Sequence, residues 1–199
     1  IIEDSCETMG VPVGYWGEAA AFSTYACHLL VTGAGGLATT NDEEMAVLMR
    51  SYANHGRDAV YFDGADSRSE VILRRFNFIR PGHSFRMTEM EGALGLAGLE
   101  TLKDEIRKRQ DVAQSINDGI HVAELPIVTH PIHLNHACMM LPLVVTEGVD
   151  RLSLCSHLEE NGIETRPLLP LLSQPYFIKA FGDLQSQFPV AANCNRNGF

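Results

Sequence analysis

The sequence predicts an α/β protein: an incomplete larger domain over residues 1–87, a long connecting helix over 88–120, and a small α+β domain over 121–199 that is also incomplete. Three observations predict it. Strand-like runs at Ile1–Asp4 and Ala19–Thr24 lead through a glycine turn into a capped amphipathic helix. A second capping signal at Thr88 opens a much longer helix. The final third then alternates strand, helix and strand, as a small α+β unit does.

Ile1-Ile2-Glu3-Asp4 reads as the tail of a buried strand, and Asp4–Met9 as one or two helical turns. Ala19–Thr24 is the best strand candidate, Gly33-Ala34-Gly35-Gly36 a turn, and Leu37–Thr40 a short strand behind it. Asn41 or Thr40 is suited to cap a helix over Asp42–Asn54, with Gly56 just past its end and an apolar stripe at Met45, Leu48, Met49 and Tyr52. Residues 57–81 are charged, aromatic and without period, which predicts a long loop. Thr88 with Glu91 forms a capping-box pattern, and Leu94, Leu102 and Ile106 keep a helical period towards Gly119. Met139–Val145 reads as a strand, Asp150–Asn161 as a helix stopped by Gly162, and Ile163–Arg166 as another strand. The chain opens and closes in mid-element, at Ile1 and at Asn197-Gly198-Phe199, so a piece of a longer chain is expected.

Composition excludes several function classes. The 199 residues are 45% hydrophobic and 20% charged, with no apolar run long enough to span a membrane and no signal-peptide pattern. A formal net charge of −10 argues against nucleic-acid binding, although a local pocket can still hold a phosphate. The five cysteines are scattered without zinc-ribbon or disulfide spacing, so a reducing cytoplasm is expected.

The first forty residues suggest a ligand site on pattern alone. Asp4 follows a strand, where ligands gather in open α/β sheets. Ser23, Tyr25 and His28 run from a strand end into a glycine turn whose backbone N–H groups can approach an anion. The plain alternative is a packed strand and hairpin around a buried histidine. Neither a Walker A loop nor GxGxxG is present.

Four segments carry a resemblance. Ile2-Glu3-Asp4 through Gly10 is similar to "IEDxxxxxG", and Phe22-Ser23-Thr24-Tyr25-Ala26-Cys27-His28 with Gly33–Gly36 to "FSFxxxK…GxGG". Arg50 with His55-Gly56-Arg57-Asp58 is similar to "R…HGRD", and Gly82–Glu91 to "GxNxRMTxxxAA". Order and spacing together resemble the DegT/DnrJ/StrS sugar aminotransferase family, which implies the fold-type I, aspartate aminotransferase-like fold of enzymes dependent on pyridoxal 5′-phosphate. The resemblance also implies a homodimer, a nucleotide-sugar substrate and glutamate as amino donor.

Residue by residue, the resemblance implies that Asp4 pairs with the cofactor's protonated ring nitrogen and Ser23 bonds its phosphate. Glu7 stands where the family commonly has glutamine near the ring hydroxyl. Ser84 replaces an asparagine that reaches the neighbouring subunit's phosphate, and its side chain is shorter. His28 is the departure: it occupies the position of the lysine that binds the cofactor covalently, which an imidazole cannot do. The three lysines, Lys103, Lys108 and Lys179, lie elsewhere.

Histidine at this position resembles one branch, the 3-dehydratases of 4-keto-6-deoxy sugar nucleotides, which hold pyridoxamine 5′-phosphate without a covalent bond. A histidine titrating near neutrality suits the proton transfer that precedes loss of the C3 hydroxyl. The alternatives are a sugar aminotransferase relative that has lost its lysine, and an inactive fragment kept for dimerisation. No cysteine lies between Arg57 and Pro81, so no iron–sulfur cluster is expected.

Other candidates weigh less. His130, His133 and His136 match no ligand spacing, and Pro131 interrupts them, so no metal site is expected. Arg166 is a candidate for a substrate anion, against a surface salt bridge. The resemblance leaves the roles of Glu7, Arg86 and Arg166 open.

Overall fold

The computed structural model describes residues 1–58, 67–168 and 170–199. They form two compact units, Ile1–Arg109 with Leu134–Met139, and Gln110–His133 with Met140–Phe199.

The first unit is built on a three-stranded sheet, β1 (Ile2–Asp4), β2 (Ala19–Ser23) and β3 (Gly36–Thr40), in the order β1-β2-β3. β1 runs parallel to β2, with Asp4 opposite Ala21, and β3 runs antiparallel to β2, with Gly36 opposite Ser23. Ala19 and Ala20 are buried. Ile1 and Ile2, expected inside, are 83% and 75% exposed, and β1 stands at the edge of the sheet. Residues after Asp4 make two successive turns instead of a helix, the Thr8 N–H and hydroxyl both donating to the Ser5 carbonyl and the Val11 N–H to the Thr8 carbonyl. Glu3 pins the following loop: its carboxylate accepts from the backbone N–H groups of Gly14 (3.0 Å), Trp16 and Gly17 (2.7 Å).

Helix α1 (Glu43–Ala53) packs with β3. Its cap is Asp42, whose carboxylate accepts from the Met45 N–H at 2.9 Å; Thr40, an expected cap, accepts from the Asp42 N–H and so braces the cap residue. Within the expected loop, α2 (Arg68–Arg74) forms behind a reciprocal capping box between Ser67 and Glu70. The rest of that expectation falls partly on residues 59–66, outside the described residues. Helix α3 (Glu89–Val122) starts with the Glu91 carboxylate accepting from the Thr88 N–H and hydroxyl, and runs beyond the expected Gly119. One turn apart, Leu102 and Ile106 enter a core with Met9 and Leu30.

The second unit takes the last part of α3 and adds β4 (Ile127–Val128) antiparallel to β5 (Val144–Val145). α4 (Arg151–Glu160), α5 (Pro175–Phe181) and α6 (Pro189–Asn197) follow, with a 3₁₀ turn at Leu171–Ser173. Its core gathers Ile120, Leu143, Val145 and Phe199. The expected strand over 139–145 contracts to two residues: Pro142 has no N–H to donate, and Leu143 exchanges backbone hydrogen bonds with Phe199. The expected strand at 163–166 does not form. Ile163 N–H closes α4 on the Leu158 carbonyl, and the Thr165 N–H and hydroxyl both turn to the Glu159 carboxylate.

Candidate functional site

Asp4 ends β1 with its carboxylate exposed beyond the strand, where Oδ1 accepts from the Cys6 N–H at 3.2 Å. This is the local bond an aspartate makes two residues ahead, and it turns the chain out of the sheet. The Cys6 side chain also bonds the carboxylate, and this contact does most to hold the Asp4 carboxyl below the usual range. The Cys6 N–H adds to it, partial desolvation opposes it, and positive charge on His28 adds again. Reciprocally, the Asp4 contact raises the Cys6 thiol, with desolvation second. Asp4 is therefore a carboxylate held ionised beside a histidine.

His28 sits in the loop that leaves β2. Its N–H donates to the Tyr25 carbonyl at 2.9 Å, and its ring meets the Tyr25 ring edge-on at 6.2 Å. Nδ1 of His28 is enclosed and finds no hydrogen-bond partner among the described residues. A buried ring nitrogen without a partner is uncommon, because desolvation without a bond is costly.

Ser23 is the last residue of β2, half-buried, and its Oγ accepts from the Tyr25 N–H at 3.2 Å, which leaves the hydroxyl proton for another acceptor. Glu7 lies half-buried in the turn after Asp4. Ser84 is exposed on a separate segment, paired through its backbone with Asn54. The fold thus brings Asp4 and His28 within electrostatic reach, with Ser23 on the strand that leads to His28, while Ser84 stands apart.

The glycine turn serves the hairpin. Gly35 adopts φ +120°, and its carbonyl accepts from the Thr24 N–H at 3.1 Å. A Cβ on Gly36 would lie 2.5 Å from the Phe22 carbonyl oxygen. These glycines are required for close backbone approach.

An open cavity of about 850 Å³ lies over β3 and α1, with Met49, Arg50, Phe85 and Arg86 in its wall. It contains none of Asp4, Glu7, Ser23, His28 and Ser84, and its lining is mainly apolar. The candidate residues at the strand ends therefore lie outside this volume. Arg86 bonds the His55 ring at 3.1 Å, and Arg166 reaches the Met140 sulfur at 3.3 Å. Among the described residues no three His, Cys, Asp or Glu side chains gather to hold a metal ion, and no helix is long and apolar enough to cross a membrane.

Sequence reasoning missed Cys6 as the group that holds Asp4, although the turn signature of an aspartate two residues before a donor was readable. It also missed the buried hydroxyls of Thr24 and Thr32 at the base of the His28 loop.

A sequence profile of the DegT/DnrJ/EryC1/StrS aminotransferase family matches residues 1–199. The spore coat polysaccharide biosynthesis protein SpsC of Bacillus subtilis is 32% identical over 189 residues, covering 91% of this chain and 47% of that protein. The GDP-4-keto-6-deoxy-D-mannose 3-dehydratase of Yersinia pseudotuberculosis is 28% identical over 181 residues, covering 85% of this chain and 46% of that protein. In structure, the E. coli GDP-4-keto-6-deoxy-D-mannose-3-dehydratase with bound hydrated PLP superposes with a TM-score of 0.78 at 26% identity, over 99% of this chain and 54% of that one. The chain spans about half the length of the relatives it matches.

Proposed function

The chain belongs to the DegT/DnrJ/EryC1/StrS aminotransferase family, and from that membership we propose that it is part of a 3-dehydratase of a 4-keto-6-deoxy sugar nucleotide, using pyridoxamine 5′-phosphate held without a covalent bond. On this reading residues 1–87 belong to the large cofactor-binding domain, 88–120 to the connecting helix and 121–199 to the small domain. The working form is a cytoplasmic homodimer with a nucleotide sugar as substrate, glutamate as amino donor and no iron–sulfur cluster. The observation that carries the reading is His28 standing at the lysine position, in electrostatic reach of Asp4.

The residues present fit the cofactor. Its protonated ring nitrogen needs an ionised carboxylate opposite, and Asp4 is held ionised by Cys6. Its phosphate needs donors, and the Ser23 hydroxyl has a proton to give. Bound there, the cofactor supplies an electron sink for expulsion of the C3 hydroxyl.

The protein's own part is binding and proton transfer. Asp4 fixes the ring by charge, and Ser23 anchors the phosphate. Glu7 lies in the turn after Asp4, where the family commonly has a glutamine, and Ser84 takes the place of the family's asparagine with a shorter side chain, so neither is assigned a step. His28 takes and returns the proton. Because histidine forms no covalent bond to the cofactor, it stays free to act as the base throughout.

Borohydride reduction of the chain loaded with pyridoxal phosphate, read by mass spectrometry, tests this. Wild type is expected to retain no cofactor mass and His28→Lys to retain it on residue 28. Retention by wild type at another residue would overturn the assignment. Conversion of a 4-keto-6-deoxy sugar nucleotide by the full-length protein then separates dehydration from transamination, the product of an aminotransferase relative.

A further inference from the structure

The His28 loop is closed at its base by a pair of hydroxyls that the reaction chemistry does not require. Thr24 and Thr32, 1% and 4% exposed, stand on either side of the loop. The Thr32 hydroxyl donates to the Thr24 hydroxyl at 2.7 Å, with the Ala34 carbonyl as an alternative acceptor at 3.0 Å. Beside it the Thr32 N–H donates to the Thr24 carbonyl at 2.9 Å, and Tyr25 bridges Gly33. Higher in the loop, Leu30 is 3% exposed and enters the core with Leu102 and Ile106. A Cβ on Gly98 would come 2.6 Å from Leu30 Cδ1, so α3 leaves a notch that receives this side chain.

His28 therefore lies between two fixed points, the hydroxyl clasp and the seated Leu30. Its own ring contributes no hydrogen bond at Nδ1. An imidazole usually takes its orientation from a partner on the second nitrogen; here the ring contact is the edge of Tyr25 at 6.2 Å, a residue of the same loop. We propose that Thr24 and Thr32 are positioning residues for His28, a buried clasp that fixes the loop and with it the ring's approach to Asp4. Two buried hydroxyls suit this task better than an apolar pair, because a hydrogen bond has a direction and a van der Waals contact does not. The importance of the clasp to turnover rests on His28 being the base; the positioning itself does not.

The test is a long-range ¹H–¹⁵N NMR titration of the histidine rings in the full chain, with Thr32→Val and Thr32→Ser beside wild type. Thr32→Val is expected to shift the His28 ring nitrogen signals. His157, on α4, serves as an unmoved control, and Thr32→Ser restores the wild-type signature. Should Thr32→Val lose its cooperative melt, Thr24→Val carries the same expectation, since it leaves Thr32 its Ala34 acceptor. A folded valine variant with an unchanged His28 signature overturns the proposal. A shifted His28 in a protein whose full-length form does not dehydrate sugar nucleotides keeps the clasp and discards the base.

Discussion

The Cys6 N–H donates to Asp4 Oδ1 at 3.2 Å and the Cys6 side chain bonds the same carboxylate, which does most to hold Asp4 below the usual carboxylate range. His28, 24 positions along the chain, adds a smaller electrostatic contribution in the same direction. The parallel pairing of β1 and β2 makes this possible, by setting Asp4 opposite Ala21 and so bringing the end of β1 beside the loop that leaves β2. On the proposed reading, an anion and a base are thereby offered to one ligand.

Removing that charge tests the pairing. Asp4→Asn is expected to weaken pyridoxamine phosphate binding by about tenfold or more, because a charge-assisted hydrogen bond becomes a neutral one. A fluorescence titration reads the loss, and unchanged affinity would show that Asp4 does not face the cofactor.

Cys6 sets how acid-resistant Asp4 is. A carboxyl held below its ordinary value contributes stability and binding that are present above the unfolded-state value and disappear as pH falls through the folded-state value. Cys6→Ala removes the largest contact holding the Asp4 carboxyl down, so the acid limb of cofactor binding is expected to move to higher pH. Cys6→Ser is expected to keep it. Affinity measured across the acid range distinguishes the two variants, and coincident curves would remove Cys6 from the account.

Leu102 holds the base of the first unit. It is 6% exposed against Met9, Leu30 and Ile106, and Leu102→Ala is expected to cost about 2–4 kcal/mol through lost burial and the cavity left behind. Denaturant unfolding with an unchanged slope checks the figure. Because Leu30 is a neighbour, the His28 ring signals are expected to change with it.

Arg151 ties the second unit together. Its guanidinium donates to the carbonyls of Asn195 (3.2 Å) and Gly198 (3.0 Å) at the end of α6. Arg151→Met keeps the aliphatic stem and loses both bonds, with an expected cost of about 1.5–3 kcal/mol. Hydrogen exchange of the Phe199 amide, which donates to Leu143, is expected to accelerate, and unaltered protection would refute the tie.

The elements legible in the sequence were those with a local cause. Asp150 and Gly162 bracket α4, Thr88 with Glu91 opens α3, and Gly33–Gly36 turns β2 back into β3, because caps and glycine turns act over a few residues. Ser67 and Glu70 carried the same kind of signal for α2, hidden in a segment whose charge and aromatics suggested a loop. Pro175 and Pro189 likewise stand at the first positions of α5 and α6, where proline costs no helical hydrogen bond.

By itself, then, the sequence determined the α/β class, the order of the first elements and the candidates Asp4, Ser23 and His28, because strand ends, turns and motif spacing are properties of neighbouring residues. Only the tertiary structure decided that Asp4 is held ionised from Cys6 and His28, that Ile163–Arg166 spends its N–H groups on α4 instead of a strand, and that Thr24 and Thr32 clasp the His28 loop. Each of these depends on which group is left to satisfy a buried or orphaned polar atom. That choice is made in three dimensions, after the chain has brought distant residues together.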